Sequence, residues 1–147
     1  MRVEASVIVA APRDRVWSSL VAWEGQPRWM SDVGAVRVVG ERRQGAGVRL
    51  AVPTRVLGVT LFTDVLEVTS WQPPGLLVVE HRRVVRGEGT WILEHLAGER
   101  TRFTWVEDVR GPIPILGELA LHVYRPVLRR MMRGSLDRFR LLVETNA

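Results

Sequence analysis

The chain has 147 residues, 46% of them hydrophobic and 25% charged, the balance of one globular domain with a single sizeable core, which excludes a disordered protein. It contains no cysteine, so disulfides, thiolate nucleophiles and cysteine-ligated metals are excluded, and its 21 basic residues are all arginine, which removes Schiff-base chemistry by lysine. The formal charge of +5 is spread from Arg2 to Arg140 among interspersed acids without a basic block, so nucleic-acid binding is not expected.

No apolar run approaches the ~20 residues that a membrane span needs, and the first residues enter a strand-like alternation with no signal-peptide core. A cytoplasmic protein without a transmembrane segment is expected, with residues 1–147 forming one domain. The arginine-only usage fits a GC-rich bacterial genome. Nothing in the pattern fixes an oligomeric state.

Arg2–Val9 alternates and then turns apolar, as a first strand does. Ala10-Ala11-Pro12 opens a helix with proline at its first turn, and Val16, Trp17, Leu20 and Val21 supply the apolar face. Gly25-Gln26-Pro27 breaks that helix, and a second short one is expected at about Pro27–Met30. Strands follow at Val33–Val39, Val48–Pro53, Val59–Trp71, Leu76–Arg83, Glu88–Leu96 and Thr101–Val109, separated by glycine- and proline-rich breaks. Strands in succession at hairpin spacing imply an antiparallel meander, with the helix pair inserted after strand one.

The one long helical pattern, Ile115–Glu144, comes last. At 100° per residue Leu116, Val123, Tyr124, Val127, Leu128, Met131, Ser135, Phe139 and Leu142 fall on one face, and Arg125, Arg129, Arg133 and Arg140 on the other. Pro126 and Gly134 weaken this helix, glycine by about 1 kcal/mol relative to alanine, and two such concessions suggest a packing or cavity reason.

Val7-Ile8-Val9-Ala10-Ala11-Pro12-Arg13-Asp14-Arg15-Val16-Trp17, followed by Trp23, Pro27 and Trp29, resembles the opening of polyketide cyclase/dehydrase-like proteins of the START-like (SRPBCC), helix-grip superfamily. Val68-Thr69-Ser70-Trp71-Gln72-Pro73-Pro74-Gly75-Leu76, Gly89-Thr90-Trp91 and Thr101–Trp105 before a long final helix extend the resemblance over essentially the whole chain. The resemblance implies an α+β fold, a seven-stranded curved antiparallel sheet around the C-terminal helix with an apolar cavity between them. It does not imply one function, since members include lipid carriers, hormone receptors and aromatase/cyclases.

Strand parity then proposes the lining. Thr101, Phe103, Trp105 and Glu107 share the more apolar face of strand seven, and Trp91, Leu93 and His95 share one face of strand six. On strand four Phe62, Asp64, Leu66 and Val68 oppose Leu61, Thr63, Val65, Glu67 and Trp71, so one acid is expected inside, where it must be paired or protonated. Asp64, Glu107 and His95 are the candidate catalytic residues. His122, on the arginine side of the helix, and His81, beside Arg82 and Arg83 at a strand end, are expected at the surface. Trp17, Trp23 and Trp29 are expected to close the open side of the sheet. Trp91, Phe103, Trp105, Val127 and Met131 are the candidate ligand-binding residues, and Gly111–Gly117, which Pro112 and Pro114 keep from becoming helix or central strand, is the candidate movable loop.

No spacing places two metal ligands on one face, and no phosphate-binding glycine loop or Gly-x-Ser-x-Gly elbow is present, so no metal and no cofactor are expected. The partner expected is a hydrophobic small molecule. The leading expectation is binding of a lipid, isoprenoid or polyketide; the alternatives are an aromatase/cyclase-type enzyme and a protein-interaction module. Two or more converging titratable groups in the pocket would favour the enzyme, a purely apolar pocket the carrier, and a filled cavity beside an extended apolar patch the interaction module.

Overall fold

The computed structural model describes residues 1–56, 58–83, 86–110 and 116–146. Strands β1 (Arg2–Val9), β2 (Arg37–Val39), β3 (Arg49–Val56), β4 (Val59–Gln72), β5 (Leu76–His81), β6 (Arg86–Leu96) and β7 (Arg100–Arg110) form one curved antiparallel sheet in the order β1-β7-β6-β5-β4-β3-β2. From β2 to β7 each strand pairs with its neighbour in sequence, and β1 lies on the far side of β7, paired Val3 to Glu107 and Val7 to Phe103. Helix α1 (Arg13–Leu20) and a 3-10 turn (Trp23–Arg28) therefore carry the chain from one edge of the sheet to the other, and α2 (Leu116–Thr145) returns along it. This is the helix-grip arrangement.

Several local boundaries differ from the sequence expectation for identifiable reasons. The second short helix is the later part of a run that starts at Trp23, and both Trp29 and Met30 donate to the Gln26 carbonyl. Pro27 occupies the position after that acceptor, where no N–H is required. β2 is three residues long, not seven, because residues 32–34 run alongside β3 by separate bonds: Gly34 N–H donates to the Pro53 carbonyl and Arg55 N–H to that of Asp32. Pro53 does not end β3; it pairs with Thr63 and turns its missing N–H away from β4, toward the side where the ladder is already sparse. β6 begins at Arg86 and passes through Gly87, whose φ of 138° only glycine adopts readily.

The core has two aromatic centres. Trp29 stands within 4.9 to 6.5 Å of Phe139, Trp91, Trp105 and Phe103, mostly edge to face. Trp71 makes the second, 5.1 Å from Trp17 and 6.3 Å from Trp23. Such pairs contribute about 0.5–1.5 kcal/mol each beyond the area they bury. Trp71 reaches this position through an irregularity between Val68 and Ser70, where the β4–β5 register shifts by one residue. The shift moves Trp71 from the outer parity set to the inner face, opposite the fully buried Leu77.

Among the described side chains of α2, those buried lie in its second half. Met132, Ser135, Leu136, Phe139 and Val143 are buried, spaced as one helical stripe, whereas Leu119, Val123 and Val127 are 66%, 73% and 50% exposed. The expected apolar face was thus rotated, because averaging over the whole helix pulled it toward apolar residues in the first half that face outward. Gly134 has no packing reason: a β-carbon there would meet only the Arg138 guanidinium, at 3.6 Å. The candidate loop Gly111–Gly117 lies largely outside the described residues, as residues 111–115 are not among them.

Candidate functional site

Between α2 and the concave face of the sheet lies a cavity of about 390 Å³. Tyr124, Leu128, Met131, Met132 and Ser135 of α2 form one wall. Phe62, Asp64 and Leu66 of β4, Val79 and His81 of β5, Trp91 of β6 and Trp105, Glu107 and Val109 of β7 form the other. Trp23, Gln26, Met30 and Asp32, from the chain after α1, close one side. Most of this surface is apolar, the lining expected for enclosing a hydrophobic body.

Alternation explains why these side chains converge. Leu77, Val79 and His81 occupy the inner face of β5, while Glu80 and Arg82 point outward to each other across 3.4 Å. On β4 the acid turned inward is Asp64; Glu67 stays outside, held by Arg49 at 2.8 Å and Arg82 at 2.7 Å. On β7 the inward set is Thr101, Phe103, Trp105, Glu107 and Val109.

The polar groups of the cavity form a chain. His81 Nδ1 lies 3.0 Å from Asp64 Oδ2, and His81 Nε2 lies 3.2 Å from Glu107 Oε2. Glu107 Oε1 accepts the indole N–H of Trp105 at 2.9 Å, and Asp64 Oδ1 accepts the backbone N–H of Val65 and of Arg83. All three side chains are largely buried, His81 being 16% exposed. With a carboxyl group facing each nitrogen, both can donate when His81 is protonated, so this surrounding favours the imidazolium form. Burial opposes that charge, but the hydrogen bonds and negative charges of Glu107 and Asp64 outweigh it and raise the His81 pKa above its ordinary value. The contact spans two strands: Glu107 on β7 reaches His81 on β5 over β6, where its ladder partner is Gly89.

Asp32 and Tyr124 complete the titratable set. Burial pushes the Asp32 carboxyl up against an opposing backbone hydrogen bond, and the charge of Glu107 adds to the rise. Burial also raises the Tyr124 phenol, helped by the charge of Asp32.

The structure brings together Trp91, Trp105, Met131, Asp64 and Glu107 from the sequence candidates. Phe103 does not reach the cavity; it is fully buried behind Trp91 and Trp29. Val127 is half exposed and outside the lining. His95 has the inward parity of Leu93 but sits one residue from the end of β6 and is exposed, away from the cavity. His122 is exposed as expected. His81 corrects the expectation outright: neighbouring arginines suggested a solvated end, whereas its parity with Leu77 and Val79 was the signal that it faces inward. Tyr124 lies in the wall as its place on the apolar face of the long helix suggested, whereas Asp32 carried no comparable signal. Among the described residues no group of three His, Asp or Glu side chains is disposed to hold a metal ion.

The sequence pattern of the polyketide cyclase/dehydrase and lipid transport family matches residues 1–144. The chain belongs to this family. Solved structures similar to this member of the cyclase/dehydrase and lipid transport family include TTHA0849 from Thermus thermophilus, at 22% identity and a TM-score of 0.83, covering 100% of this chain and 99% of that one. The Zhui aromatase/cyclase from Streptomyces sp. R1128 follows at 20% identity and a TM-score of 0.78, covering 98% and 93%. A START superfamily protein from Mycobacterium smegmatis matches at 16% identity and a TM-score of 0.61, covering 93% and 97%. At these identities the likeness establishes the shared fold. No functionally curated protein matches the chain. Among the described residues of this family member no helix is long and apolar enough to cross a membrane.

Proposed function

We propose that the protein binds a hydrophobic small molecule of lipid, isoprenoid or polyketide type between α2 and the sheet, with its apolar body against Trp91, Trp105, Leu128 and Met131. The observation that carries this is the cavity itself, about 390 Å³ of mostly apolar lining with its polar chain gathered on the β4, β5 and β7 wall. That volume lies within the ~300–1,000 Å³ typical of small-molecule sites. The family to which the chain belongs includes lipid transport in its description, which agrees with this reading.

A specific observation favours a second reading, a cyclase or dehydratase acting on a poly-β-ketone. His81 between two carboxylates is more than a carrier needs, and it meets the expectation of converging titratable groups. An imidazolium can donate a proton to the oxygen of one ketone while an adjacent carboxylate accepts one from the carbon alpha to a second, and attack of that carbon on the first carbonyl forms the carbon–carbon bond of aldol closure. The similar Streptomyces structure is described as an aromatase/cyclase.

Native mass spectrometry with organic extraction of co-purifying material tests the binding, together with titration of a hydrophobic fluorescent probe into wild type, Trp105→Ala and Leu66→Trp. Saturable binding by wild type, weakened in Trp105→Ala and abolished by the bulkier side chain of Leu66→Trp, is expected. Folded wild-type protein with no saturable binding and no extractable ligand would overturn the proposal. Turnover of a poly-β-ketone by wild type and its loss in His81→Ala would establish the second reading.

A further inference from the structure

We infer that the cavity selects hydrophobic ligands whose polar end donates hydrogen bonds, as an alcohol, enol or amine does, and turns away carboxylates and phosphates of equal length. This rests on the cavity binding a hydrophobic molecule at all.

The inference comes from the kind of charge the cavity presents. The chain has 21 basic side chains, every one an arginine, yet among the described residues none lines the cavity. Three carboxyl groups do: Asp32, Asp64 and Glu107. Acid-binding pockets are built the other way, with a guanidinium fork aimed at the anion. Arg138, whose charge acts on Asp32, is bonded to the Trp29 carbonyl and to Ser135 Oγ and stays outside the lining.

The side-chain cation that borders the space is already engaged, since His81 spends both ring nitrogens on Asp64 and Glu107. The amino group of Met1 gives one of its N–H groups to the Val109 carbonyl. An entering anion would therefore meet three carboxyl groups with no uncommitted side-chain donor of matching charge, and burial leaves little water to screen it. Gln26, Thr54, Tyr124 and Ser135 can donate or accept and discriminate neither way. A hydroxyl or ammonium has the opposite fit. It finds acceptor oxygens at one wall, and the faces of Trp91 and Trp105 beside them are negative surfaces that favour a cation.

The test is displacement of N-phenyl-1-naphthylamine from the full chain at neutral pH by dodecanol, dodecylamine and dodecanoate, each kept below its micelle concentration. Dodecanol and dodecylamine are expected to displace the probe at concentrations at least about ten-fold lower than dodecanoate, a difference of about 1.4 kcal/mol in binding. Two separate variants, Asp32→Asn and Glu107→Gln, are each expected to narrow that gap, read as the ratio of displacing concentrations within each variant, so that failure of one to fold leaves the other informative. Dodecanoate displacing as well as dodecanol would overturn the selectivity and leave the binding site standing. A wild-type protein that takes up no probe and none of the three amphiphiles would overturn both.

Discussion

Gly89 of β6 stands opposite Glu107 of β7, and a β-carbon at Gly89 would lie 2.9 Å from Glu107 Oε1 and 3.2 Å from Val79 Cγ2. The missing side chain is what lets Glu107 lie across β6 and meet His81. Gly89→Ala should therefore fold but push the carboxylate aside. His81 would then titrate closer to the ordinary histidine value than it does in wild type. Proton NMR of the imidazole signal against pH is the measurement, and an unchanged titration would mean that Glu107 does not depend on that gap.

The same pair sets a pH dependence. Because the folded His81 pKa is raised above the ordinary ~6.5, its protonation stabilises the fold fully below about pH 6.5. That contribution is lost as the pH rises through the folded value. Glu107→Gln should accordingly be less stable than wild type at about pH 6, with the difference shrinking toward alkaline pH. Urea unfolding of both proteins at a series of pH values shows the trend; a gap that widens with pH would contradict the charged clamp.

Phe103 and Val127, both placed in the wall by sequence reasoning, should now behave in opposite ways. Phe103→Ala removes a fully buried ring packed on Trp29, Trp91 and Phe139 and should cost about 3–5 kcal/mol of stability. Val127→Ser alters a half-exposed residue and should fall within about 0.5 kcal/mol of wild type, with probe affinity unchanged. Denaturant midpoints and one probe titration decide both.

Gly134→Ala should stabilise the protein by up to about 1 kcal/mol, since the helix interior gains propensity and the new methyl would meet only the Arg138 guanidinium, at an ordinary contact distance of 3.6 Å. A rise in melting temperature is expected. A fall would show that this helix needs its loose point.

How much of this was legible follows from what each signal measures. Period-two alternation placed Trp105 and Glu107 on the inner face of β7 and grouped Trp91 with Leu93 on β6, because a ladder without irregularities preserves parity. Trp71 escaped that rule through the register shift after Val68, which no local composition announced. His81 was misjudged on its neighbours in sequence, although Arg82 belongs to the opposite face and bonds Glu67 there. Asp32 could not be found at all, since it lies in an irregular segment tied to β3 by the bonds of its own carbonyl to Arg55 and of Gly34 to Pro53. The long helix was placed within one residue at each end, yet its buried stripe was not, because a helical wheel records which residues are apolar and not how far along the helix the sheet supports them.

The register shift in β4 also separates two kinds of constraint along one strand. Before it, Phe62, Asp64 and Leu66 shape the volume offered to a guest; after it, Trp71 seats Trp17 and Trp23. Because the two groups face different neighbours, selection can rewrite the first half for a new guest while leaving the anchor of the second untouched. A single strand with such a division can accumulate changes in taste without loss of foldedness, and a designer retargeting the protein through β4 would mutate it upstream of Val68 and leave the rest of that strand alone.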